Sequence, residues 1–241
     1  GPFADPVYAA TINDLGNLTG ADFSYATDIS GDGSIIIGDG LFFNKYHPFR
    51  WTEAGGMVDL GFMSGTDTCS AFGISSDGST VVGYCKQTAG GRWTAFTWSQ
   101  DNLLVGQFVA LNPLTAGQDA GAFAASENGS IVVGFSNVLV SGLSYGRAVL
   151  WNQGQIQDLV DVSRQVSTYS SATGVSDDGS VLVGWITQDL TLQTPHAFRW
   201  TAGGGMVYLM TNADILAYQT SEAKDVSADG NVVVGMLGYY A

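Results

Sequence analysis

Positive charge is nearly missing from this chain of 241 residues: eight Lys and Arg stand against 22 Asp and Glu, a formal net charge of −14. Such a surface repels phosphate backbones and forgoes the counterion release that drives nucleic-acid binding, so no nucleic-acid partner is expected. The same charge disfavours docking on anionic lipid. No stretch approaches the roughly 18 consecutive apolar residues of a membrane-spanning helix, so no membrane insertion by this fragment is expected. Charged residues of both signs make up only 12% of the chain, about half the usual share. Histidine is confined to His47 and His196 and cysteine to Cys69 and Cys85. No Ser or Cys arrangement of the kind a nucleophilic triad needs accompanies them. No signal peptide is visible, and Gly1-Pro2 reads as a protease-cleavage scar, so the natural N-terminus is expected to lie elsewhere.

What the chain does have is glycine, 33 residues of it, a 45% hydrophobic content and a phrase that recurs five times. Ala26-Thr27-Asp28-Ile29-Ser30-Gly31-Asp32-Gly33-Ser34 returns as Ala71 to Ser79, Ala122 to Ser130, Ala172 to Ser180 and Ala223 to Asn231. A β-branched run follows each time and closes on Gly38, Gly83, Gly134, Gly184 or Gly235, steps of 45, 51, 50 and 51 residues. A period of that size built from strand and turn signals marks a β-propeller blade. Within a unit the Ser-x-Asp-Gly turn joins the first two strands. The third strand carries Phe or Val two residues before Trp, as at Phe49 and Trp51 or Phe198 and Trp200, which places both on one face. A Gly-rich turn then leads to a fourth strand such as Met57-Val58-Asp59-Leu60.

The fifth unit stops after two strands, while Asp14-Leu15-Gly16 matches Asp59-Leu60-Gly61. We therefore expect an all-β, five-bladed β-propeller whose last blade is completed by strands from both termini, leaving no open edge. The single domain would span residues 3–241, with blades at about 17–64, 65–116, 117–164, 165–216 and 217–241 plus 3–16. The five alanines, and the small residues Gly73, Ala124 and Gly174 two places on, are expected to share one face near the axis, with Asp28 and Asp225 at the equivalent places. If Ser76-Asp77-Gly78 closes a three-residue hairpin loop, Cys69 lies opposite Cys85, positioned for a disulfide. Such a bridge implies an oxidising compartment.

These residues resemble the HAF repeat of bacterial extracellular proteins, whose pattern runs Ala-Phe-Arg-Trp-Thr, Gly-Gly-Met, Asp-Leu-Gly. The segments His47 to Gly61 and His196 to Met206 carry it almost whole, whereas Thr97, Gln100 to Gly106 and Asn152 to Gln155 depart from it. The resemblance covers nearly the whole chain and implies a secreted or surface propeller of a Gram-negative bacterium, in some cases an autotransporter passenger, with the periplasm as the other setting. The Ser-x-Asp-Gly turns also resemble those of TolB-type propellers, which are interaction domains. Neither likeness assigns a catalytic residue.

Asp28 and Asp225 occupy equivalent places in blades that become neighbours when the ring closes, so these channel carboxylates could hold Ca²⁺ or act as a glycosidase acid and base. Solvated or hydrogen-bonded carboxylates are the expectation, with no cofactor and no metal. Asp32, Asp77, Asn128, Asp178 and Asp229 lack the alternating acids of a calcium loop and read as turn formers. His47 and His196 precede Trp51 and Trp200 by four residues in non-adjacent blades and read as strand-entry residues. The segments Gly40 to Tyr46, Lys86 to Arg92, Ser136 to Tyr145 and Thr187 to Pro195 read as variable loops. In or beside them Phe42, Phe43, Tyr46, Trp93, Leu143 and Tyr145 are the candidate binding residues. The expected function is a monomeric, secreted or surface-exposed binding or adhesion module for a protein or glycan partner. The alternatives are a glycoside hydrolase with carboxylates at the channel mouth and a structural display spacer.

Overall fold

The computed structural model describes residues 12–87, 89–100, 106–160, 168–187, 194–210 and 220–238. Every regular element among them is a strand. Sheet 1 holds β1 (Phe23–Ile29), β2 (Ile35–Phe42), β3 (Lys45–Thr52) and β4 (Gly56–Asp59). Sheet 2 follows with β5 (Thr68–Ile74), β6 (Thr80–Lys86), β7 (Thr94–Gln100) and β8 (Gly106–Ala110), and sheet 3 with β9 (Ala120–Ala125), β10 (Ile131–Val140), β11 (Leu143–Asn152) and β12 (Gln155–Asp158). Sheet 4 contains β13 (Ser170–Val175), β14 (Leu182–Thr187), β15 (Pro195–Thr201) and β16 (Gly205–Tyr208), and sheet 5 contains β17 (Thr220–Val226) and β18 (Val233–Gly238). Each is an antiparallel meander in chain order.

The Ser-x-Asp-Gly turn owes its recurrence to one serine hydroxyl used twice. In four repeats it donates to the turn Asp, at 2.6–2.8 Å from Ser30 to Asp32, Ser75 to Asp77, Ser176 to Asp178 and Ser227 to Asp229. In all five it accepts the N–H five residues on, that of Ile35, Thr80, Ile131, Val181 or Val232, at 2.9–3.1 Å. The following glycine takes a positive φ near 70°, which favours glycine there. The aspartate and asparagine oxygens are thus spent inside the turn. The N–H of Ser34 and the hydroxyls of Ser30 and Ser34 hold Asp32 down at about 2.

One register detail corrects an expectation. The second-repeat loop runs Ser76 to Ser79, one residue longer than a three-residue turn, because Ile74 pairs with Val81. A β-bulge between Ala71 and Gly73 takes the extra residue back, so Ala71 still faces Gly83 and Cys69 still faces Cys85. The disulfide between them is formed, and both sulfur-bearing side chains are buried. The same bulge recurs in the first strand of all five sheets.

It also overturns the shared face of the small residues. Ala172 packs in the core between sheets 3 and 4, but a Cβ at Gly174 would meet Val183 and the Asp225 carboxylate on the side facing sheet 5. A bulge turns the residues after it to the other face. Gly73 is small for that reason: a Cβ there would lie 2.4 Å from the Phe123 carbonyl oxygen of the next sheet. The closing glycines are stricter still, since a Cβ at Gly38, Gly83, Gly134, Gly184 or Gly235 would stand 1.9–2.1 Å from the carbonyl oxygen of the residue before the paired alanine.

The core is divided among the seams. Separate buried clusters lie between sheets 1 and 2, 2 and 3, 3 and 4, and 4 and 5. Phe96 and Trp98, Trp151, and Phe198 with Trp200 fill the first three, each fully buried aromatic contributing about 2–3 kcal/mol. The turns are stitched as well. Gly31 N–H donates to Ser76 O, Asp77 to Glu127, Glu127 to Asp177 and Asp177 to Ala228, all at 2.8–3.0 Å, so one chain of main-chain bonds joins all five repeats at this rim. The N-terminal half of the fifth unit falls partly outside the described residues, Val7 to Thr11 included. Within them, Gly16 N–H donates to Asp14 Oδ1 at 2.9 Å, and Gly61 makes the same bond to Asp59 at 2.7 Å, with matching positive φ.

Candidate ligand-binding rim

The rim opposite the Ser-x-Asp-Gly turns is where the first strands begin and the β2–β3, β6–β7, β10–β11 and β14–β15 connections lie. Two of these are not loops. Strands β2 and β3 meet at Phe43-Asn44 and β10 and β11 at Ser141-Gly142, two-residue turns with positive φ at both positions. That backbone twist matches the twist of the flanking strands, so the segments Gly40 to Tyr46 and Ser136 to Tyr145 continue the hairpins instead of forming variable loops. The Thr187 to Pro195 segment lies mostly outside the described residues.

The candidate residues accordingly separate. Phe43, at a hairpin tip, is 89% exposed and Leu143 62%. Phe42 packs its ring on His47 at 4.3 Å. Tyr145 is only 7% exposed, packed against Tyr169 at 5.4 Å; it is a core residue of the long β10–β11 hairpin, which corrects its reading as an exposed anchor. Tyr46 stands edge-on to Tyr25 at 6.5 Å, and Trp93 stacks on Tyr84 at 4.9 Å with its ring 7° from parallel.

Trp93 and Tyr46 open onto residues that the sequence reading missed. Position one after each closing glycine holds Asp39, Tyr84, Phe135, Trp185 and Met236. Four of these bear on one end of the assembly. Phe72 packs on Tyr84 at 5.2 Å and on Phe123 at 5.4 Å, Phe123 stacks on Phe135 at 5.8 Å, and Trp93 meets Phe135 edge-on at 6.0 Å. A cavity of about 510 Å³ opens beside them between sheets 3 and 4, lined by Trp93, Phe123, Phe135, Tyr169 and Trp185 with Asn137, Ser171 and Thr173. The signal was available: next to an invariant glycine, this position carries Asp39 once and large side chains in the other four repeats.

One buried carboxylate and two phenols near it shape the electrostatics. Asp39 is 1% exposed and, among the described residues, forms no ion pair; its oxygens accept the Ala71 N–H at 3.0 Å and the Tyr25 hydroxyl at 3.2 Å. Burial pushes its carboxyl up to about 6 against those bonds. Tyr25 and Tyr84 are in turn held above the ordinary phenol range, by burial first and then by the Asp39 charge.

The channel carboxylates lie toward the other rim. Asp28 accepts the Ile74 N–H of sheet 2 at 2.9 Å and the Ile29 N–H at 2.8 Å, so each of its oxygens caps a main-chain donor. Asp225 accepts the Val226 N–H at 2.8 Å. Burial raises Asp28, and the charge on Asp225 adds to that rise, so the two are near enough to sense each other. Both Asp28 oxygens and Asp225 Oδ1 thus accept main-chain N–H groups of the strands. His47 Nδ1 pairs with Asp59 at 2.8 Å and His196 packs edge-on to Tyr208 at 6.3 Å, each a third-strand residue anchored to its own fourth strand.

Sheets that follow one another in chain order, pack face to face through separate seams and are joined by a chain of turns at one rim describe a radial array. The fold agrees. It is similar to a putative TolB from Agrobacterium tumefaciens, with a TM-score of 0.61 at 13% identity over 93% of this chain and 78% of that one. The chain has a β-propeller fold. TolB from Acinetobacter baumannii matches with a TM-score of 0.52 at 13% identity, over 78% of this chain and 43% of the other. The tricorn protease matches at 0.50 and 12% identity, over 92% of this chain and 22% of its own. No family model and no curated protein matches the sequence. The sheets are blades hereafter.

Proposed function

We propose that this chain is a secreted or surface-exposed, monomeric binding module that recognises a protein or glycan partner through the hairpin rim. The observation that carries the reading is the convergence of Tyr46, Tyr84, Trp93, Phe135 and Trp185 from four blades on the end away from the turns. Rigid aromatic side chains on a stiff scaffold supply large contact area at low entropic cost. The Cys69–Cys85 disulfide supports an oxidising compartment, and the resemblance to HAF repeats supports export. Among the described residues no helix is long and apolar enough to cross a membrane.

In this reading the propeller has five blades, and the segment ahead of Asn13 completes the fifth. The support is the Asp14-Leu15-Gly16 turn, built like Asp59-Leu60-Gly61, together with the apolar groove of about 470 Å³ along β18, lined by Leu209, Val234, Met236 and Leu237.

The test is a glycan array together with binding to extracted bacterial and host surface proteins. Wild-type protein should bind, Trp93→Ala with Trp185→Ala should reduce binding at least about tenfold, and Glu127→Gln on the turn rim should leave it unchanged. Equal binding by all three proteins would overturn the assignment of the rim.

A further inference from the structure

We propose that the cavity between the third and fourth blades is a carbohydrate subsite, in which an uncharged sugar ring stacks on Trp185 and is hydrogen-bonded by Asn137 and Ser171. This rests on the hairpin rim being the binding surface and narrows that reading to one ligand class.

Size admits it: about 510 Å³ falls within the roughly 300–1,000 Å³ of small-ligand sites. Charge then discriminates. Among the described residues the lining contains no Asp, Glu, Lys, Arg or His, so a charged ligand would be desolvated there without a counterion. An aromatic-walled pocket on an acidic protein suits a cation, but Lys86 Nζ already stands 5.7 Å over the Trp93 ring, where it takes the cation–π position and repels a second positive charge. An anion meets the net charge of −14.

A wholly apolar ligand fails for a different reason. Ser171 lines the cavity and its buried hydroxyl has no hydrogen-bond partner, a group that a ligand without polar atoms would leave unpaired. A pyranose ring answers both demands, with a C–H face for aromatic stacking and peripheral hydroxyls for an amide and a hydroxyl. Trp185 is the platform, because no other ring among the described residues packs on it.

Gly146 provides a test that removes no aromatic group. It lines the cavity, and a Cβ there would meet Asn137 Oδ1 at 3.4 Å, Ser170 O at 3.8 Å and the Phe135 ring at 3.9 Å, ordinary contacts that require no backbone shift. Gly146→Val therefore intrudes on the cavity while favouring the strand.

The experiment screens glucose-, galactose-, mannose- and N-acetylglucosamine-based neutral oligosaccharides, with sulfated glycans and tetramethylammonium as charged probes, and titrates the best binder by tryptophan fluorescence. A neutral glycan should bind, with affinity falling at least about tenfold in both Trp185→Ala and Gly146→Val and with the Gly146→Val melting temperature within a few degrees of wild type. Absence of neutral-sugar binding, preference for a charged probe, or unchanged affinity in both variants would overturn the proposal. A surface protein bound in a Trp185-dependent way while no sugar binds would overturn the sugar class alone; absence of any rim-dependent binding would overturn both readings.

Discussion

The Ser76 hydroxyl donates to the Asp177 carboxylate at 2.5 Å, although 101 residues separate them. Ser76 belongs to the second blade and Asp177 to the fourth, so the bond joins them at the turn rim and skips the blade between. The same two residues take part in the chain of turn-to-turn main-chain bonds. That end of the molecule is thereby tied together.

A double-mutant cycle on this pair should give a coupling of about 1–2 kcal/mol, typical of a hydrogen bond to a charged acceptor that is partly buried. Urea unfolding of Ser76→Ala, Asp177→Asn and the double variant measures it; additive effects would show that the bond contributes nothing.

Asp39 makes stability depend on pH in an unusual direction. Its folded carboxyl titrates near 6, above the ordinary value of about 3.9, so the folded state holds the proton more tightly than the unfolded chain and stability falls as pH rises between those values. The loss should amount to about 2–3 kcal/mol. The turn aspartates act oppositely: Asp32 and Asp229 are held at about 2 by their turn hydrogen bonds, and their contribution, present above about pH 4, is lost as pH falls toward 2. Asp39→Asn should raise the melting temperature at pH 7.5 and flatten the decline between pH 4.5 and 6.5, while the acid limb stays. Thermal melts across pH 2.5–8 in wild type and variant decide this.

Glycine at position 134 is imposed by backbone, since a Cβ would stand 2.0 Å from the Gly121 carbonyl oxygen, whereas a Cβ at Gly203 meets nothing within 4 Å. Gly134→Ala should cost about 3 kcal/mol or more, or prevent folding; Gly203→Ala should change stability by less than about 0.5 kcal/mol. Chemical denaturation of both variants separates a packing requirement from a generic glycine effect.

The Cys69–Cys85 bridge closes a loop with a sequence separation of 16, for which chain entropy gives about 3 kcal/mol. Cys69→Ser with Cys85→Ser should lower stability by about that amount, and denatured, non-reduced wild-type protein should show no reactive thiol on quantitation.

Deleting residues 1–11 tests the completion of the fifth blade. Val234, Met236 and Leu237 stand exposed along β18; if residues 1–11 pair there, their deletion should lower the melting temperature and increase dye binding to apolar surface. A truncated protein that melts like the full chain would separate the N-terminus from that blade.

Cys69 and Cys85 show how legibility works in this protein. Their pairing follows from the repeat alone, yet it survives only because a turn one residue longer than expected is compensated by a bulge after Ala71. Phe43 and Ser144 show the converse, where apparent loop composition concealed continuous hairpins turning on Phe43-Asn44 and Ser141-Gly142. Positive φ at such residues is allowed but not demanded by their side chains, so composition does not announce it.

Local chemistry acting over a few residues was therefore readable from the chain: five serine turns, four with Asp and one with Asn, their following glycines, the strand alternation at Phe and Trp, and a negative net charge. What needed three dimensions was everything set by one blade meeting another. The bulge that turns Asp28 and Gly174 to the next blade, the burial that raises Asp39, the bond from Ser76 to Asp177 and the gathering of Trp93, Phe135 and Trp185 around one cavity all depend on residues brought together from distant parts of the sequence. Repetition sets the direction each strand faces, but the space between blades is decided by how their side chains pack.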